Sequence, residues 1–334
     1  MKMRLFLFTL CLPIQLLTAQ EPIPFQKLMD EGVHQYELQQ YEIAADYYKQ
    51  ALKLNDKAQV VHYELAYTYY TMGKMSKSYK HAKKAIKIGG EYTADAYVLK
   101  GNIQNIKGRF YDAMRTFKKG LRAYPEYFLL HYNLAFTAYL RGDSRLTKKA
   151  IARSIELNAM YPGNHFLLGF VKLDEEKSAH ALMAFTYFLM LEPSSKRAEE
   201  AMNQVEKLVF WDKAIVSRKK YALDHDFPFK VDEEIEKEDK QKNPFIDLEK
   251  ERKELAQFSK RLHIIFMEAI EKKRSNDNLI KNFYMPFYAD LLDKQHLEAF
   301  SYYINQMKDG EAFLWLQVNY NRVQAMFDFL NERS

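Results

Sequence analysis

Residues 62–73 read HYELAYTYYTMG, and residues 131–142 read HYNLAFTAYLRG. Seven of the twelve places are identical: His62/His131, Tyr63/Tyr132, Leu65/Leu134, Ala66/Ala135, Thr68/Thr137, Tyr70/Tyr139 and Gly73/Gly142. Within the first copy, Leu65, Ala66, Tyr69 and Tyr70 recur at helical spacing before Gly73 breaks the helix. A stretch that returns in phase is the mark of a repeat architecture, and a repeat decides the fold before any single motif does.

Working outward, a period near 34 residues emerges. Ala44-x3-Tyr48-x2-Ala51 is followed by Ser78-x3-Ala82-x2-Ala85, Ala113-x3-Phe117-x2-Gly120, Thr147-x3-Ile151-x2-Ser154 and Ala181-x3-Phe185-x2-Phe188. From Ala51 to Ala85, Gly120, Ser154 and Phe188 the steps are 34, 35, 34 and 34. Five units follow, over residues 25–58, 59–93, 94–127, 128–161 and 162–195. Each carries a small residue in its first half: Gly32, Ala66, Gly101, Ala135 and Gly169. Gly73, Gly108 and Gly142 mark the middle break of three units, and Pro125 and Pro193 close two.

Each unit therefore reads as two antiparallel helices. A second helix of about Ser76–Ile88 in the second unit buries Tyr79, Ala82, Ala85 and Ile86. The small residues allow helices to approach to about 8–10 Å. No unit buries its apolar face alone, so the units must stack. A helix over residues 196–211, with Ala198, Ala201, Met202, Val205, Leu208 and Val209 on one side and Lys and Glu opposite, fits a solvating cap on the last unit.

The pattern resembles the tetratricopeptide repeat. Leu65-Ala66-x2-Tyr69, Leu168-Gly169, Ala113-x3-Phe117, Ala181-x3-Phe185 and the terminal prolines carry the resemblance, which covers residues 25–195. Unit four departs most, with Thr147 and Ile151 in its second helix, and unit one has Asp56 in place of the proline. The resemblance implies an all-α fold: a right-handed superhelical solenoid of helix-turn-helix units over residues 21–211, first helices lining the concave face, followed by a C-terminal helical region.

The remainder of the chain divides by composition. Met1–Arg4 is a short basic start and Leu5–Leu17 an apolar run broken by Thr9, Pro13 and Gln15, before Ala19. This reads as a signal peptide over residues 1–20. A spanning helix needs roughly 20 apolar residues, and this run is shorter. The sole cysteine, Cys11, falls inside it, so the mature chain is expected to carry no disulfide or thiolate chemistry. The expected location is exported, periplasmic or outer-membrane-associated. Residues 212–245 form a charged linker in which Pro228 and Pro244 bracket VDEEIEKEDKQK. Residues 246–334 read as a C-terminal helical domain. It holds an amphipathic stripe from Leu248 to Ala269, then a segment near Asn278–Lys294 that Pro286 must kink or divide. A hairpin of His296–Met307 and Ala312–Glu332 follows, and Leu297-x-Ala299-x3-Tyr303 hints at one degenerate repeat.

Catalytic signatures are missing. The nine histidines are scattered, and the chain has no H-E-x-x-H, no cysteine pair, no G-x-S-x-G and no G-x-x-x-x-G-K. His62, His131 and His165 share the fourth place of units two, four and five, where the family usually has a bulky aromatic. Zinc needs ligand nitrogens at roughly 2.0–2.1 Å, whereas stacked helices lie on the order of 10 Å apart, so these rings pack rather than share a metal. No catalytic residue, cofactor or metal is expected, and the chain is not read as an enzyme. An unrecognised site in the C-terminal half is the minor alternative.

Recognition is the remaining class. By helical phase, the first-helix residues left free of packing are Tyr36, Tyr63, Tyr67, Tyr70, Asn102, Asn105, Tyr132, Phe136, Tyr139, Phe166 and Phe170. Rings with polar tips suit a protein or peptide partner, which makes the chain a protein-interaction scaffold. The competing expectation is that the C-terminal helices fill the groove and partners bind elsewhere. One subset of the family grips a peptide carboxylate with Lys, Asn and Arg; here those places carry Met29, Val33, Asp95 and Leu99, so that clamp is absent. The second helices are basic, from Lys77, Lys80, Lys83, Lys84 and Lys87 through Lys118, Lys119 and Arg122 to Arg145, Lys148, Lys149 and Arg153. Peripheral contact with an anionic membrane surface is the functional reading of that face. Nucleic acid would need cations and stacking aromatics on one face, and these are separate. Nothing in the sequence sets an oligomeric state.

Overall fold

The computed structural model describes residues 24–210, 248–271, 276–306 and 310–332. The signal peptide expected over residues 1–20, with Cys11, and the charged linker over 212–245 lie outside the described residues. The described chain is all-α, in two compact units divided between Ala96 and Tyr97.

The first unit holds α1 (Phe25–Glu37), α2 (Tyr41–Leu54), α3 (Gln59–Thr71), α4 (Met75–Ile88) and the start of α5 (Thr93–Ile106). Helices α1 and α2 pack together, as do α3 and α4, and α2 packs on α3. The core is made by Leu28, Tyr48, Val61, Leu65 and the alanines between them. Burying such side chains is what allows helices of 13 or 14 residues to persist, since isolated helices of that length are marginal in water.

The second unit continues with the rest of α5, α6 (Phe110–Ala123), α7 (Phe128–Leu140), α8 (Ser144–Leu157), α9 (Pro162–Asp174), α10 (Ser178–Leu191) and α11 (Lys196–Val209). Helix α7 packs on α8 and α9 on α10, and α7 also meets α9, one repeat onward. Observed first helices begin at Phe25, Gln59, Thr93, Phe128 and Pro162.

Two devices close the helix pairs. The first is a size match. A Cβ built on Gly32, Gly101 or Gly169 would overlap the ring of Tyr48, Phe117 or Phe185 respectively. Where the second helix offers Ala82 or Ile151 instead, the first helix carries Ala66 or Ala135, all four buried. The second device is the turn. Gly73, Gly108 and Gly142 sit at φ 71°, 68° and 71°, the left-handed region that glycine enters without steric cost. Gly73 N–H donates to the Tyr70 carbonyl at 2.9 Å and Lys74 N–H to that of Tyr69 at 2.7 Å, the Schellman pattern. Repeats one and five make the same turn with Gln39 (φ 60°) and Glu176 (φ 58°), which costs each on the order of 1–2 kcal/mol in backbone conformation.

The C-terminal region comprises α12 (Leu248–Glu271), a π-helical turn (Ile280–Tyr284), α13 (Met285–Asp293), α14 (Leu297–Asn305), α15 (Gly310–Val318) and α16 (Tyr320–Asn331). Pro286 cannot donate to the carbonyl four residues back, and the π turn immediately before it absorbs the mismatch. The helix expected over Ala312–Glu332 is broken at Asn319, whose side-chain amide donates to the Trp315 carbonyl at 3.0 Å. The hinted degenerate repeat takes α13 and α14: Gln295 (φ 58°) donates to Leu292 and His296 to Leu291 in the repeat's own turn. Tyr288 stands where the true repeats carry Gly or Ala, with its ring 6.2 Å from that of Phe300. Helix α11 packs on α12 as well as α10, and Arg261 of α12 donates to the Val209 carbonyl at 3.2 Å.

Candidate partner-binding surface

In the first unit, the first helices and the turns beside them carry a run of five tyrosines. Ring centroids lie 5.1 Å apart for Tyr41–Tyr36, 5.7 Å for Tyr36–Tyr67, 6.2 Å for Tyr67–Tyr63 and 5.0 Å for Tyr63–Tyr92. The last two pairs are stacked, a favoured aromatic geometry. Thr71 donates to the Tyr67 carbonyl at 3.2 Å, which leaves its oxygen to accept the Tyr36 hydroxyl at 2.9 Å. Tyr67 is 42% exposed at the centre of the run, while Tyr36, Tyr63 and Tyr70 are half-buried. Burial raises the Tyr36 and Tyr70 hydroxyls above their ordinary pKa, so both stay protonated donors. Burial likewise raises the Glu64 carboxyl of α3. Helical phase selected Tyr36, Tyr63, Tyr67 and Tyr70. It missed Tyr41 and Tyr92, which lie at the start of α2 and just before α5, where first-helix phase does not apply.

The second unit places the remaining seven residues unequally. Phe136 is 38% exposed, stacked 6.5 Å from Tyr132, which meets Tyr161 edge-on at 5.0 Å. Burial pushes Tyr132 up to about 12 and Tyr139 up to about 12, the latter assisted by a hydrogen bond to Asp174. Asn105 donates to Thr137 at 2.8 Å, linking α5 to α7, and Asn102 is half-buried beside it. Phe166 and Phe170 turn toward α10, 5.0 Å from Phe188 and 5.1 Å from Phe185, with the Arg197 guanidinium 5.8 Å above Phe166. They are half-buried and finish the edge of the core.

The C-terminal helices pack on α10 and α11, and the C-terminal region is tied to α9 by side-chain bonds. They reach the His165–Lys172 side of α9, about a quarter-turn or more around the helix from Phe166 and Phe170. The contact is polar as well as apolar. His165 and Tyr284 are hydrogen bonded, and Tyr288 donates to the Met183 carbonyl at 2.8 Å. Lys172, 1% exposed, reaches Glu175 at 2.7 Å and Asp277 at 2.6 Å. Burial raises the Asp277 carboxyl, but the Lys172 ammonium and the N–H groups of Ile280 and Leu279 outweigh it and leave the pKa lowered.

The three histidines of place four do share a role. The ring Nε2 of His62 meets the Asp56 carbonyl at 3.1 Å, that of His131 the Pro125 carbonyl at 2.7 Å, and that of His165 the Ala159 carbonyl at 2.6 Å. A carbonyl only accepts, so Nε2 carries the proton in each and Nδ1 is left as an acceptor. Each histidine ties its helix to the turn six residues back. Among the described residues no three His, Cys, Asp or Glu side chains gather as a metal site, and no helix is long and apolar enough to cross a membrane.

The tetratricopeptide repeat profile matches residues 60–88 and 94–127. Among curated proteins none matches the sequence. Among solved structures the chain is similar to a thermophilic TPR protein of Thermus thermophilus, at 20% identity over 55% of this chain and 99% of that one, TM-score 0.47. It is similar to PilW, a widely conserved type IV pilus biogenesis factor, at 16% identity over 59% of this chain and 96% of that one, TM-score 0.48. It is also similar to Pseudomonas aeruginosa pilF, at 15% identity over 59% and 94%, TM-score 0.47. The chain thus carries tetratricopeptide repeats, within an all-α fold of consecutive helix pairs.

Proposed function

We propose that this protein is an interaction scaffold that binds a protein or peptide partner on the aromatic faces of its first helices, by recognition without catalysis. The observation that carries the reading is the five-tyrosine run centred on exposed Tyr67. Stiff stacked rings lose little conformational freedom on binding, and their hydroxyls offer directional hydrogen bonds. The second unit offers the smaller pair Tyr132 and Phe136. The setting we propose is an exported, envelope-associated one, supported by the basic-then-apolar first twenty residues.

The basic second helices form a separate surface. Lys77, Lys80, Lys83, Lys84 and Lys87 are all exposed on α4. Cations and stacking rings on different helices suit peripheral contact with an anionic surface and speak against nucleic acid. The test removes one exposed ring from each unit. Tyr67→Ala with Phe136→Ala should reduce capture of a partner from envelope fractions while far-UV circular dichroism stays unchanged; undiminished capture would overturn the assignment.

A further inference from the structure

Repeats two, four and five use the same histidine staple, but the second ring nitrogen meets three different fates. His62 Nδ1 lies 3.0 Å from His81 Nδ1. His165 Nδ1 accepts the Tyr284 hydroxyl of the C-terminal region. His131 Nδ1 has no hydrogen-bond partner among the described residues. The cause lies on the second helix. The place of His81 is taken by Ala150 in repeat four and by Ala184 in repeat five. An alanine there leaves room for a ring. In repeat five the chain fills that room itself: Phe283 and Phe287 lie 5.2 and 4.9 Å from Tyr187, and Tyr288 reaches the Met183 carbonyl.

In repeat four the corresponding room is a crevice of about 520 Å³ lined by Leu121, His131, Leu134 and Ala150, with Lys149, Arg153 and Glu156 also on its wall and Arg153 paired to Glu156 at 3.0 Å. These two cations replace Met183 and Tyr187 of the filled socket. We propose that this crevice is a second docking site, which takes a tyrosine side chain from an acidic segment of a partner protein. The phenol donates to His131 Nδ1, and neighbouring carboxylates pair with Lys149 and compete with Glu156 for Arg153. Burial lowers the His131 pKa and, with Arg153, outweighs the Pro125 carbonyl and Glu156, which raise it, so the ring is a neutral acceptor at neutral pH.

The occupant differs from the chain's own C-terminal segment in a second copy. That segment brings Asp277, which is neutralised in repeat five by Lys172. The same place in repeat four is Ala138, fully buried, and would leave the carboxylate unpaired. The site is also distinct from the first-helix aromatic face, because His131 and Phe136 lie about 140° apart around α7.

The probe is a blocked pentapeptide, Asp-Glu-Tyr-Glu-Asp, against its Phe counterpart, followed by NMR shifts of His131 and of the Ala150 methyl. The wild type should bind the Tyr peptide about 5- to 10-fold more tightly than the Phe peptide, the worth of one net hydrogen bond. His131→Phe should erase that preference. Ala150→His should fill the crevice as His81 does in repeat two and weaken both peptides more than tenfold. Paired Lys149→Glu and Arg153→Glu substitutions, on the surface, should weaken both peptides equally without altering the fold. Equal affinity for the two peptides, or binding undiminished by Ala150→His in a folded variant, overturns the proposal. Self-association that Ala150→His abolishes, seen by sedimentation without any peptide preference, would assign the crevice to a second copy and overturn it too.

Discussion

A single methyl group decides how each helix pair closes. Tyr48, Phe117 and Phe185 lie against Gly32, Gly101 and Gly169, whereas Ala82 and Ile151 lie opposite Ala66 and Ala135. Gly101→Ala should therefore destabilise the protein by about 1–3 kcal/mol through overpacking, although alanine favours a helix. Denaturant unfolding of Gly101→Ala, Phe117→Ala and the double variant checks this: the double variant should lose less than the sum. The sequence displays the small residues at once, but their pairing with ring size needs contacts that only the folded pair makes. Histidine staples were hidden for the same reason, since the carbonyl they bind is fixed by the turn rather than by helical spacing. They also set a pH dependence. Burial lowers fully buried His165 to about 4, below the roughly 6.5 of an unfolded chain. Between those values the unfolded state binds more protons, so the stabilisation is complete above about pH 6.5 and is lost as pH falls toward about 4. Denaturant midpoints from pH 7 to about pH 4.5 should fall in the wild type. In His165→Gln they should start lower and fall less steeply.

At the scale of elements, the repeats announced themselves and the docking of the C-terminal helices did not. Glycines 73, 108 and 142 marked three turns by residue type, yet Gln39, Glu176 and Gln295 adopt the same left-handed backbone with no glycine to signal it. The tie between α9 and the C-terminal region joins Lys172 to Asp277, 105 residues apart, and no spacing rule connects such positions. Lys172 is buried with a carboxylate on either side. Removing one member of a buried ionic cluster leaves the others uncompensated, a loss of about 3–5 kcal/mol in comparable cases. Lys172→Ala should accordingly loosen the C-terminal helices from α9. Limited proteolysis should cut within residues 276–332 faster in the variant than in the wild type. Equal cutting rates would show that the apolar contacts of Tyr284 and Tyr288 hold the region unaided.

For the whole molecule, the all-α repeat architecture was legible because all five units state the period in small residues and three state it again in turn glycines. The proposed binding surface was legible only in part. Helical phase found Tyr67 and its neighbours Tyr36 and Tyr63, but Tyr41 and Tyr92 joined the run through turns whose course the phase does not describe. It also enlisted Phe166 and Phe170, whose rings lean on Phe188 and Phe185 and complete the core edge. Exposed first-helix rings are proposed to hold a partner. Quantitative capture from envelope fractions tests it most directly, comparing wild type, the Tyr67→Ala/Phe136→Ala variant and Tyr320→Ala, which removes a ring 65% exposed on α16. Two truncated interface aromatics cost on the order of 2–4 kcal/mol together, so the double variant should retain under a tenth of the wild-type partner while Tyr320→Ala retains all of it. Full retention by a folded double variant, or an equal loss in Tyr320→Ala, would contradict the account.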